Sequence, residues 1–301
     1  MAEPTVAGTT GPDVAPTTRG GAGAGAGLMT LPGVVLFLTM VIAPLAMTLL
    51  LSLRGFDFNT GIRDTLGLHN YREVLSSTYF HGIFARTFTV AGLATLFCLL
   101  IGVPEAYVLS RMRAPWRSIF LVVILGPLLV SVVVRAFGWG MLLGTDGVIN
   151  TAFVALGLGR VRMLFTNGAM IVALVHVMLP FMVIPVWTAL QRLDPALEQA
   201  ALSLNASPFV VLRRIVLPQV IPGVLSGSLI VFGLSASAFA IPGLLGGRRL
   251  KVVATTVYDE FLGSLNWPLG AAIAVILLLA NLVIMLGYNR LLERRQRATL
   301  G

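Results

Sequence analysis

Six separated runs of mostly apolar residues fix what this chain can become: about Leu31 to Leu53, Phe88 to Leu109, Ser118 to Leu143, Ala169 to Leu190, Gly223 to Leu245 and Pro268 to Tyr288. At about 1.5 Å of rise per residue, each is long enough to cross roughly 30 Å of hydrocarbon as a helix. Lipid offers no partner for backbone N–H and C=O groups, so a run of this kind must satisfy its own. Only 11% of the 301 residues are charged and mean hydropathy is +0.92, against about 25% charged residues in a soluble domain. The expected fold is an all-α membrane protein with six transmembrane helices.

An even number of spans puts both termini on one side. Eleven basic residues lie on that side against eight in the opposite loops; Arg111, Arg113 and Arg117 crowd a very short loop, and Arg290, Arg294, Arg295 and Arg297 fill the tail. Basic residues in short loops mark the cytoplasmic face, so both termini and the connection between spans four and five are expected there. The net charge of +9 comes from 20 arginines and Lys251, spread over loops and span ends. Contact with membrane lipid accounts for that distribution better than nucleic acid does.

Chemistry is sparse. Cys98 is the one cysteine and sits inside a span, so there is no disulfide framework and no cysteine metal site. His69, His81 and His176 are far apart in sequence, and no G-x-x-x-x-G-K-[ST], HExxH or GxSxG motif occurs. No catalytic, metal or cofactor-binding residue is assigned. Residues 1–30, with GGAGAGAG at 20–27, carry too few apolar groups to fold and are expected to be a disordered cytoplasmic tail. Residues 31–290 form the membrane domain, and 291–301 a basic cytoplasmic tail.

The connection between spans four and five, residues 191–222, reads as built structure. Asp194 caps a helix that Pro195 opens, since proline at the first helical position loses only a donor that has no partner anyway. Leu197, Ala200, Ala201 and Leu204 follow i, i+3, i+4, i+7 spacing and make one apolar stripe with small residues at its centre. Asn205 suits the left-handed position that ends such a helix. Ser207 and Pro208 repeat the cap-then-proline signal, and Leu217-Pro218 is expected to stop the second helix. The product is a helix-turn-helix at the membrane surface.

Several residues are candidates for a solute pathway. Arg135, about 26 Å along a continuous third span, is expected near the outer face, where it either functions or snorkels to the interface. His176 precedes Pro180 and Pro185 in span four and is either a pathway group or a packed histidine. Ser235, Ser237 and Phe239 in span five, ahead of Pro242, either line a pathway or serve close helix packing. Asp259 and Glu260, the adjacent acidic pair in an outer loop, attract a cationic substrate, dock a binding protein or are simply solvated. Glu105 either pairs with Arg111 at the cytoplasmic interface or has a role in transport.

The 191–222 connection also carries a family signature: E-A-A, three residues, G, nine residues, I-x-L-P. Here it reads Gln199, Ala200, Ala201, then Asn205, then Ile215-Val216-Leu217-Pro218, with both spacings kept. Over about residues 31–290 the chain therefore resembles inner-membrane permease subunits of ABC importers that work with a binding protein. LHNYREVL at 68–75, MLPFMVIPVW at 178–187 and SASAFAIPGLLGG at 235–247 are similar to the spermidine/putrescine subfamily. Glutamine replaces the signature glutamate, a charge that Glu198 is expected to supply in part. Asparagine replaces the glycine.

The resemblance implies that Gln199 to Asn205 form a coupling helix, docked with Glu198, Ala206, Ser207, Pro208, Leu217 and Pro218 on an ATPase. It implies a second permease subunit, two ATPase subunits that use ATP and Mg, an external solute-binding protein, and the bacterial inner membrane as location. The solute it implies is small and polar, first a polyamine, with an opine, an aminophosphonate, ferric iron or an anion as alternatives. A secondary carrier is the reading outside the family.

Overall fold

The computed structural model describes the backbone of residues 22–247 and 249–300, and side chains at 31–247, 249–288 and 290. It divides into two compact units, Met1–Thr48 and Leu49–Gly301. Helix α1, Ala22–Ser52, contains Pro32 and Pro44, and its residues 22–48 make up the described part of the first unit. The Thr48 hydroxyl donates to the Pro44 carbonyl at 2.8 Å. α1 begins inside the stretch expected to be disordered, and residues 1–21 of that tail lie outside the described residues. The basic tail continues a helix as far as Leu300.

The second unit is helical with one small hairpin, β1 (Arg54–Asp57) and β2 (Gly61–Leu66), paired antiparallel. Its turn is chemically explicit: Asp57 Oδ1 accepts from the N–H of Asn59 at 2.9 Å and of Thr60 at 3.2 Å, and Asp57 pairs with Arg63. The backbone bonds and Arg63 together hold the Asp57 carboxyl below its usual range. After the hairpin, α2 (His69–Ser76) supplies Asn70 and Tyr71. Asn70 Nδ2 donates to the carbonyls of Ser52 and Arg54, and the Tyr71 hydroxyl lies 2.6 Å from Ser52 Oγ. Two residues of the LHNYREVL motif thus fasten the hairpin's start.

Three long helices build the core: α3 (Thr78–Arg111), α7 (Asn167–Gln191) and α10 (Leu217–Ala236). α7 is the central one, with 61% of its apolar window buried. Small residues let the backbones approach, which is how helices pack where lipid removes the hydrophobic drive between them. Gly102 of α3 and Gly227 of α10 both face Met182 of α7; a Cβ on either would lie 2.9 Å from that side chain. Gly223 is tighter still, with Pro185 O at 2.6 Å and Ala189 Cβ at 2.7 Å from its virtual Cβ. A smaller cluster joins Val74, Phe80, Ile83, Val253, Ile273 and Leu277.

Among the described residues six helical segments are long and apolar enough to cross a membrane, as expected, but three of them move: the second starts at Thr78, ten residues earlier, and the third and fifth shift at both ends. The third run breaks into α4 (Trp116–Leu125), a 3₁₀ turn at Gly126–Leu129 and α5 (Val132–Leu143). Pro127 has no N–H to continue α4, so the chain tightens and restarts after Ser131. The membrane-length segment here is Val132–Ala155, which includes α6 (Val148–Ala155). The fifth helix ends at Ala236 instead of Leu245, because Pro242 lacks a donor and its ring crowds the carbonyl four residues back. The chain restarts as α11 (Ala240–Leu245), followed by α12 (Val253–Leu262) and α13 (Trp267–Leu300).

Candidate functional site

Three places in the fold gather the candidate residues, two of them at the ends of α10. At the first, α8 (Pro195–Ser203) begins where Asp194 Oδ1 accepts from the Ala196 N–H at 2.9 Å. It ends on Asn205, whose φ of 62° is left-handed. The N–H of Ala206 reaches Ala201 O at 3.1 Å and that of Asn205 reaches Leu202 O at 2.9 Å, the two-bond closure that a left-handed C′ residue permits. The stripe expected on this helix is outward-facing: Leu197 is 47% and Leu204 84% exposed, and α8 buries no residue.

Ser207 then caps α9 (Pro208–Val211), accepting from the Val210 N–H at 3.4 Å. The expected stop at Leu217-Pro218 does not occur. Leu212–Val216 widens to a π turn in which the Leu217 N–H bonds Leu212 O, five residues back. This wider turn absorbs the donor missing at Pro218, and the helix runs straight into α10. The segment Pro208–Ala236 is therefore one continuous rod from the turn into the membrane-length region.

α8 is tied to the end of α3. Arg111 Nη2 contacts both carboxylate oxygens of Glu198, at 2.5 and 2.6 Å, and its guanidinium lies 5.1 Å from the Tyr107 ring centroid. The expected interfacial pair of Glu105 with Arg111 is not formed, because residues six apart on a helix point to different faces; Glu105 Oε2 is buried with no hydrogen-bond partner among the described residues. The carboxylate of Glu198, the neighbour of Gln199, is engaged within the chain by Arg111. Gln199 and Ala200 themselves are exposed.

At the other end of α10 lies an open cavity of about 810 Å³. Phe239, Lys251, Thr255, Tyr258, Asp259 and Glu260 are among its lining residues. The Phe239 and Tyr258 rings stand 4.8 Å apart, Lys251 Nζ lies 2.6 Å from Asp259 Oδ2, and Glu260 Oε2 lies 2.5 Å from Ser264 Oγ. The hydrogen bond to Asp259 raises Lys251 above the usual lysine range, so it is a cation at neutral pH. Of the expected pathway residues, the cavity brings together Phe239, Asp259 and Glu260. Ser235 is buried with its hydroxyl unpartnered among the described residues, and Ser237 donates to the Gly233 carbonyl of its own helix at 2.9 Å.

Arg135 and His176 belong to a third place, between α5 and α7. Trp139 Nε1 donates to His176 Nδ1 at 3.1 Å with the rings edge to face. Arg135 lies one turn before Trp139 and about 12 Å from the C-terminal end of α5. The break at 126–131 interrupts the continuous rise on which its expected position rested. Its Nε and Nη1 are buried without hydrogen-bond partners among the described residues. Sequence reasoning missed Trp139, whose four-residue spacing from Arg135 is readable only once α5 has a known start. It missed Arg86 as well, whose Nη1 donates to the Lys251 carbonyl at 2.9 Å from a position far away in sequence.

Comparison with known proteins agrees with this architecture. The spermidine/putrescine transport system permease protein PotB of Haemophilus influenzae is 32% identical over 260 residues, covering 85% of this chain and 91% of that one. PotB of Escherichia coli is 31% identical, covering 76% and 84%. A solved bacterial ABC transporter involved in import of the acidic polysaccharide alginate shares the fold with a TM-score of 0.75 at 23% identity, covering 89% and 94%. The model of a family described as binding-protein-dependent transport system inner membrane component matches residues 28–298, and the chain belongs to that family.

Proposed function

We propose that this subunit forms one half of an ATP-driven import pathway for a polyamine, paired with a second permease and served by two ATPase subunits and an external binding protein. The observation that carries the reading is the helix-turn-helix at 194–222, capped at Asp194 and Ser207, whose apolar stripe is uncovered. A groove in a cytoplasmic ATPase is the partner that suits it. Mg-ATP acts in that partner, and the permease contributes movement. Closure of the ATPase pair pulls on α8, and two connections carry the pull inward: the continuous rod from Pro208 into α10, and the Arg111–Glu198 pair into α3. Because α10 packs on α7 through Gly223 and Gly227, a shift of the rod shifts the core.

On this reading both termini and the helix-turn-helix are cytoplasmic, and the cavity at the far end of α10 faces outward. Polyamine as solute is supported by the PotB relatives and by the cavity's chemistry, two carboxylates beside an aromatic pair, which suits alkylammonium groups. The test is isolation of the mildly solubilised native complex through this chain, with identification of what accompanies it. An ATPase and a second permease are expected. A chain that purifies alone and still moves solute would favour a carrier.

A further inference from the structure

Every Arg or Lys bridge to a carboxylate among the described residues uses arginine, at Arg54, Arg63, Arg111 and Arg160, except one. The exception is Lys251 with Asp259, in the cavity, and Lys251 is the one lysine of the chain. Arginine and lysine are not equivalent here. A guanidinium is a planar fork suited to permanent pairing, whereas a lysine ends in a compact primary ammonium on a four-carbon stem. In shape and charge, that end of Lys251 is an alkylamine.

The surroundings are those of a place where such a group is exchanged. Side-chain exposures of 32% for Lys251 and 47% for Asp259 leave the pair open to a ligand entering the cavity. The Lys251 backbone stays fixed through its carbonyl on Arg86, so the side chain can swing away without the loop moving. Beside it, Glu260 has Ser264 and no basic partner among the described residues. Among the described residues the cavity thus holds two carboxylates and one ammonium, and Phe239 and Tyr258 form an aromatic wall.

We propose that Lys251 is a tethered competitor for alkylammonium ligands in this cavity. One ammonium of a di- or polyamine seats at Glu260 against the Phe239–Tyr258 wall, and another displaces Lys251 from Asp259. When the ligand leaves, Lys251 returns. The competitor keeps the empty cavity from retaining an amine too firmly to pass on. This rests on the amine reading of the proposed function.

The test is equilibrium binding of labelled spermidine to the purified complex without its binding protein. Lys251→Met and Lys251→Gln should bind about fivefold more tightly than the unaltered complex, as expected for removing a half-exposed ion pair. Adding Asp259→Asn should cancel the gain, and Glu260→Gln alone should weaken binding. Basal ATPase activity of each complex reports its assembly. If assembled lysine variants bind spermidine no more tightly than the unaltered complex, while that complex takes up spermidine with ATP and binding protein, the competitor role is wrong and the amine reading stands. If the unaltered complex takes up no polyamine at all, both fall.

Discussion

Under the proposed coupling role, Arg111 and Glu198 are the contact on which a transmitted movement most depends, because α8 buries nothing of its own. The pair is unevenly exposed, 46% for Arg111 and 14% for Glu198, so its direct worth is about 1 kcal/mol. Its mechanical role is larger than its stability. Arg111→Glu or Glu198→Arg alone is predicted to cut uptake per ATP hydrolysed several-fold with the complex still assembled, and the double reversal to restore most of it. Parallel uptake and ATPase assays on the same preparation check this. Asn205 gives a second residue-level test. Asn205→Gly should keep or raise uptake, because glycine takes φ of 62° freely. Asn205→Val should cost about 1–2 kcal/mol in the turn and make it more easily cut by protease.

The elements differ in how far they could be read from sequence, and the reasons are local. The caps at Asp194 and Ser207 and the left-handed Asn205 were legible because short side chains bond neighbouring backbone, so their signal is complete within a few residues. The third and fifth spans were legible as apolar but not as helices with given ends. Hydropathy sums over Pro127 and Pro242 as it does over leucine, while the missing donors decide where each helix stops. The π turn before Pro218 is the same physics with the opposite result: the helix widened instead of ending. Close packing through Gly223 was not legible, since its partners Pro185 and Ala189 lie on another helix. Gly223→Leu should lower the melting temperature of the complex by several degrees, as overpacking against backbone costs about 1–3 kcal/mol. Gly287, with nothing near its virtual Cβ, is the control position and should tolerate alanine.

For the whole molecule, the fold is a multi-pass inner-membrane permease, and its two candidate sites stand at opposite ends of α10, about 30 Å apart along the helix. Their separation explains why the candidate residues did not resolve into one site in the sequence. The helix-turn-helix site is continuous in the chain and carries a spacing signature; the cavity draws Phe165, Phe239 and Glu260 from three different segments. Lys251 stood out in composition as the single lysine, yet its partner was visible only in three dimensions. Blocking the helix-turn-helix site should leave the cavity intact: Ala200→Glu, placing bulk and charge in the exposed stripe, is predicted to abolish ATPase association while the protein remains in the membrane, as fractionation and pull-down would record.

The central claim is that solute movement through this chain is driven by ATP in a partner. Complexes purified with their binding protein and reconstituted in vesicles, assayed for labelled spermidine uptake with and without ATP on the ATPase side, test it directly. Uptake that requires ATP and stops when the complex carries Ala200→Glu is the predicted result. Uptake that proceeds without ATP and follows an imposed proton or sodium gradient would contradict the account.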